Sequence, residues 1–186
     1  MANRNTQGFG LIPAGTLGQT PATSGTGKYK IDAGYATTIY HGGAVASAAG
    51  YIVDGQTTDA PILGVLNGIF YNAATTLKPT FSNHYVQVTP ANSEDIDAFV
   101  FDNPQQQYVV ATDDAVAQAG YLETYDMNAS AGSTTTGKSS STLDIGDTSA
   151  DAAAFRLLRS AEDPENDENA AFRSVVVCLN LIELQS

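Results

Sequence analysis

The chain has 186 residues, with 8 basic and 20 acidic side chains, a formal net charge of −12, one cysteine and no tryptophan. A single cysteine excludes a disulfide framework and a multi-cysteine zinc module, and 42% hydrophobic content excludes an acidic disordered chain. The acidic balance argues against nucleic acid as a partner, and no apolar run is long enough for a membrane helix or a signal-peptide core, so no membrane partner and synthesis in a cytoplasm are expected.

The charge is unevenly placed. Residues 1–30 carry Arg4, Lys28 and Lys30 and no acid, a balance of +3, which leaves −15 on the remainder. Residues 1–27 hold six glycines, two prolines and five threonines, a mix that favours extended backbone and turns over helix. Phe9, Leu11, Ile12 and Leu17 are the large apolar side chains of that stretch. Residues 1–27 therefore read as an extended N-terminal arm, and residues 28–186 as a β-rich body.

Within the body, short β-prone runs follow one another between Gly, Asn and Pro. KYKIDA (28–33), ATTIY (36–40), YIV (51–53) and PILGVLNGIFY (61–71) come first. HYVQVT (84–89), AFVF (98–101), QQYVVA (106–111) and GYLETY (120–125) follow, then STLDI (141–145), AFRLLRS (154–160) and FRSVVVCLNLIEL (172–184). YVQVT alternates as a strand with one wet face should, whereas SVVVCL is continuously apolar and reads as a strand buried on both sides. About ten short strands predict an all-β fold, a barrel or a sandwich. DDAVAQAG (113–120) and SADAAAF (149–155) leave room for one short helix. ASAGSTTTGKSSST (129–142) reads as a long exposed Ser/Thr-rich loop, and AEDPENDEN (161–169) as a solvated acidic loop.

One phosphate-binding pattern occurs. Gly132, Gly137, Lys138 and Ser139 satisfy G-x-x-x-x-G-K-[ST], the loop whose backbone N–H groups cradle phosphates between a buried strand and a helix. Neither flank fits. DMNASA is no apolar strand and SSSTLDIGD is a poor helix, so the match is a decoy and no cofactor is expected. His41 and His84 lack the spacing of metal ligands, and Cys178 lies in an apolar run with no base beside it. The acidic loop has oxygen ligands at alternate positions but no central glycine, so no metal is expected there either. Glu94, Asp95 and Asp97, and the pair Asp113 and Asp114, offer carboxylates for glycosidase chemistry without an aromatic tryptophan platform. No constellation has the form of an active site, and a non-enzymatic protein is expected.

The order of landmarks carries a resemblance. NRNTQGFGLIPAGT, GYATTIYHGGAV, GYIVDG, PILGVLNGIFY and FVFDNP, then GKSSSTLDIG, FRLLRSAEDPEN and SVVVCLNL, resemble the capsid decoration or cement proteins, small structural proteins of marine tailed bacteriophages. The resemblance implies a β-rich module on the outer surface of the virion, bound to the major capsid protein, with the arm lying over it. Arg4, Phe9, Leu11, Ile12, Leu17, Lys28 and Lys30 are then the expected capsid contacts. Copies of itself are a further expected partner, a trimer suiting a three-fold position although no residue counts subunits. The alternative is a tail, fibre or surface adhesin that binds host carbohydrate.

Overall fold

The computed structural model describes residues 3, 5–18, 25–56, 61–146, 153–167, 169–180 and 183. The fold is all-β, with 13 strands among the described residues, all paired antiparallel. It is sandwich-like and contains no closed barrel, which decides between the two architectures that the sequence left open.

One sheet has five strands in the order β1 (Ile12–Thr16), β8 (Gln106–Ala111), β13 (Ser174–Leu179), β12 (Phe155–Ser160) and β9 (Thr124–Tyr125). The other runs β2 (Gly27–Ile31), β7 (Ile96–Phe101), β5 (Gly64–Asn72), β3 (Ala44–Ala48) and β4 (Tyr51–Asp54), with β6 (Pro79–Ser82) paired on β5. A small ribbon joins β10 (Met127–Asn128) to β11 (Thr142–Leu143).

Continuous apolarity correctly marked the centre of the first sheet. All six residues of β13 are buried, between β8 and β12. Val175, Val177 and Leu179 join Tyr108, Val110, Phe155 and Leu157 in one core, and Val65 and Ala44 enter it from the second sheet. A second core fills the inner face of the six-stranded sheet, built from Ile31, Val45, Leu66, Ile69, Ile96 and Val100. Strand β5 serves both, sending Val65 to one core and Leu66 to the other, as the two-residue strand period requires.

Several expected elements differ. ATTIY and HYVQVT are not strands: their backbones pair in a single bridge between Ile39 and Tyr85, and Val86 and Gln87 stand exposed beyond it. Alternation without a neighbouring strand leaves the backbone to solvent. DDAVAQAG yields a single 3-10 turn at Gln118–Gly120, and residues 149–152 of SADAAAF lie outside the described residues. The 129–142 loop is exposed only as far as Thr136, with Lys138 next outward. Gly137, Ser139 and Ser141 are buried, and the Ser139 and Ser141 hydroxyls both donate to Gln56 Oε1.

The segment read as an arm is held against the body. Its described part does not stand apart from the body. Asn3 is buried, and its side-chain amide donates to the carbonyls of Ala171, Ala170 and Asp167 at 2.9, 3.2 and 3.3 Å while its Oδ1 accepts the Asp167 N–H. Gly10 N–H donates to Ser141 O and Leu11 N–H to Gly42 O. β1 then forms the edge of the five-stranded sheet, with Pro13 and a bulge between Pro13 and Gly15 blunting that edge against further pairing.

Candidate functional surface

The expected contact residues divide sharply once placed. Leu11 is 1% exposed and belongs to the core between the sheets, so it is withdrawn as a contact. Phe9 is half-buried. Ile12 and Leu17, at 50% and 40% exposure, project from the β1 region into solvent. Arg4 lies outside the described residues.

Lys28 and Lys30 stand on the outer face of β2, where strand alternation turns Tyr29 and Ile31 inward. Both ammonium groups reach Asp97 on the neighbouring strand at 2.7 Å. The register continues the row across the sheet, from Lys30 to Asp97, Phe70 and Phe81. The next row runs from Lys28 to Phe99 and Gly68. A Cβ at Gly68 would come within 2.8 Å of the Phe81 ring, so glycine there makes room for Phe81 to lean toward Phe99, centroid to centroid 6.3 Å. The result is an aromatic strip bordered by two lysines, with Phe81 exposed and Phe70 and Phe99 half-buried.

The hairpin that carries Phe81 extends the strip. Leu77, in the turn between β5 and β6, is 73% exposed and Phe81 63%. Leu77 also holds a φ of 54°, the left-handed region in which asparagine or glycine costs less. A leucine kept there pays both strain and solvation, the kind of conflict that marks functional positions. The sequence contained the signal only as two apolar residues inside a polar stretch, TTLKPTFSN.

Burial by itself works to raise the pKa of Asp97, but the hydrogen bonds and charges of the two lysines outweigh it and hold the carboxyl below the ordinary range. A depressed folded value stabilises the protein at pH above the unfolded carboxylate value of about 3.9, and the contribution disappears as pH falls through the folded value. Asp97→Asn is therefore expected to melt below the wild type at pH 6. The gap should close as the pH is lowered from about 5 toward 3 in thermal melts.

The residues singled out for chemistry gather only in part: Glu94, Asp95 and Asp97 line an open pocket with Lys30, and the Gly132–Ser139 turn packs against His41 and His84. Gly132–Ser139 forms a tight turn, with Ser133 N–H donating to Lys138 O and Gly137 N–H to Ser133 O, and its end bridges to His41. No strand–loop–helix unit forms there. His84 stacks on Tyr40 with the rings 6.2 Å apart, and burial lowers its pKa. His41 Nδ1 lies 2.9 Å from the Asn67 carbonyl. Cys178 is buried within β13, and burial pushes its thiol up. In the acidic loop, Asn166 ties the backbone to Ser160, Ala161 and Ser174, while Glu165 and Asn169 N–H groups cap Asp163 and Asp167; Glu168 lies outside the described residues. Among the described residues, no group of three or more His, Cys, Asp or Glu side chains is placed to hold a metal ion.

Comparison with protein-family models, characterised proteins and solved structures gives no match. The surface itself is what speaks for a function.

Proposed function

We propose that the protein is a non-enzymatic virion structural protein, a decoration or cement protein that attaches to the outer surface of a phage capsid and stabilises it. The observation that carries this reading is the apolar strip held in solvent, with Leu77 and Phe81 at its tip, Phe99 behind them and Lys28 and Lys30 alongside. Exposed aromatic area of this kind gains on the order of 25 cal/mol per Å² when a partner covers it. Lys28 and Lys30 at its border are matched by Asp97, with Asp95 and Glu94 close by, so the apolar side chains supply the affinity, while the acidic remainder keeps the protein soluble at high copy number. The order of sequence landmarks supports the same reading. A shell presents many identical sites, so a ligand that binds only the assembled form raises its stability by mass action.

The test adds purified protein to mature capsids that lack it, and measures co-sedimentation and the temperature of DNA release. Leu77→Asn with Phe81→Asp is expected to leave the melting temperature of the free protein within a few degrees, because both side chains are exposed. The same variant is expected to weaken co-sedimentation about tenfold or more. Ile12→Asp with Leu17→Asp examines the second exposed pair in the same assay. Wild-type protein that neither sediments with shells nor delays DNA release would overturn the proposal.

A further inference from the structure

The six-stranded sheet curls until its two end strands, β2 and β4, approach each other without being hydrogen-bonded neighbours. An open groove of about 550 Å³ lies at this seam. Tyr29 of β2 and Tyr51 of β4 flank it, Ser47 of β3 and Glu183 close one wall, and Ile52 and Leu63 lie beneath. Ile52 and Leu63 are almost wholly buried, so the floor is apolar.

The polar groups around this floor share one sign. Tyr29 donates its hydroxyl hydrogen to Asp102 Oδ2 at 2.7 Å, and Tyr51 donates to Asp95 Oδ2 at 3.2 Å. Glu183 Oε1 accepts the Ser47 N–H at 2.7 Å. One carboxylate, Glu183, lines the groove, and both phenols lean their hydrogens toward anions outside it, Asp102 and Asp95, which enriches the rings in electron density. Burial and then the bond to Asp102 push Tyr29 up to about 12, so its proton stays in place at any ordinary pH. Among the described residues, no basic side chain lines the groove. Lys28 and Lys30 stand on the opposite face of β2, where they engage Asp97, and the charge of Lys30 still reaches the Tyr51 hydroxyl.

We propose that this groove receives a cationic side chain, an arginine or lysine flanked by apolar residues, from an extended segment of a protein partner. Two tyrosines and a carboxylate around one opening form the setting in which a guanidinium or ammonium is held by ring faces and charge together. The apolar floor accepts the methylene stem of the same side chain. The volume suits one such residue with its neighbours and falls within the range of ligand sites. The groove opens on the other side of β2 from the aromatic strip, so the inference does not depend on capsid attachment.

The experiment uses the full chain, labelled with nitrogen-15, and titrates an acetylated, amidated pentapeptide Gly-Leu-Arg-Leu-Gly against the same peptide with citrulline in place of arginine. The arginine peptide is expected to move the amide signals of Ser47, Gly50, Tyr51 and Ile52. Citrulline, equal in shape but uncharged, is expected to bind about fivefold or more weakly. Glu183→Gln should weaken the arginine peptide roughly three- to tenfold. Its melting temperature should hold, because the amide oxygen still accepts the Ser47 N–H. Tyr51→Leu gives a second, independent loss. Equal affinity for the two peptides, no binding of either, or shifts produced by neutral oligosaccharides instead would overturn the proposal. Sedimentation of Glu183→Gln with capsids, run in parallel, reports on attachment separately.

Discussion

Removal of residues 1–17 is expected to cost the protein most of its cooperative fold. Those residues supply Leu11 to the core between the sheets, the Asn3 clasp on the 167–171 backbone and the β1 edge on β8. Losing a buried leucine alone costs about 2–5 kcal/mol, because the surrounding core cannot fully close the space. Each clasp or ladder hydrogen bond adds on the order of 1 kcal/mol net, and the carbonyls of Gly42 and Ser141 lose the donors that meet them now. Ordering the segment has its own entropic cost, about 1–2 kcal/mol per residue, so the sum is smaller than the contacts suggest. Against a typical total of about 5–15 kcal/mol the loss is still large. In thermal melts the truncated protein should fall by roughly 15 °C or more, or lose its transition, with Leu11→Ala alone showing about half of that. A truncated body melting within about 3 °C of the full chain would show that the segment is an appendage after all. The practical consequence is that capsid binding must be tested with Ile12 and Leu17 substitutions, since a deletion confounds attachment with folding.

How far the sequence disclosed all this depends on what each residue answers to. SVVVCL announced a central strand because burial on both faces imposes continuous apolarity, a property written locally. AVASA could not announce β3, because alanine and serine have little preference for strands and the pairing with β4 and β5 decides the matter. IPAGT was hidden by Pro13 and Gly15, the same residues that blunt β1 as an edge. Leu11 and Ile12 are neighbours of similar character with opposite fates, one in the core and one in solvent. Only the register of the chain against Gly42 and β8 separates them. On the candidate surface, Lys28 and Lys30 were legible as charge. Their aromatic neighbours Phe99 and Phe81 were not, because their adjacency is set by sheet order and by the space at Gly68. The groove is further removed still: Tyr29 and Tyr51 meet only through the curl that brings the two end strands of the sheet together, and Glu183 joins them from a distant part of the chain.

The same contrast makes the Gly132–Ser139 motif a sharp test of what its glycines are for. In a phosphate-binding loop the lysine carries the function and the glycines give the backbone access to the ligand. Here the glycines answer to packing. A Cβ at Gly132 would sit 2.4 Å from Lys138 O and 2.5 Å from Tyr40 Cγ, in a ring already stacked on His84. Gly137 holds a φ of 71°, and its Cβ would meet Asn83 Oδ1 at 2.3 Å and His84 Nδ1 at 2.4 Å. At Gly132 the clash is with the backbone of the turn that carries Ser139 and Ser141 into their buried bonds with Gln56, whereas at Gly137 the Asn83 and His84 side chains must move and the positive φ adds strain. Gly132→Ala is therefore expected to destabilise by about 2–4 kcal/mol, and Gly137→Ala by about 1–3 kcal/mol through backbone strain. Lys138 is exposed, so Lys138→Ala should stay within about 0.5 kcal/mol of the wild type. Chemical denaturation of the three variants measures these differences directly. Adding magnesium and ATP in excess supplies the opposing reading, since a working site at a thousandfold excess over Kd would raise stability by about 4 kcal/mol. The expected rise is none. A loss centred on Lys138, together with nucleotide stabilisation, would restore the motif as a phosphate site and assign its glycines to ligand access instead of packing.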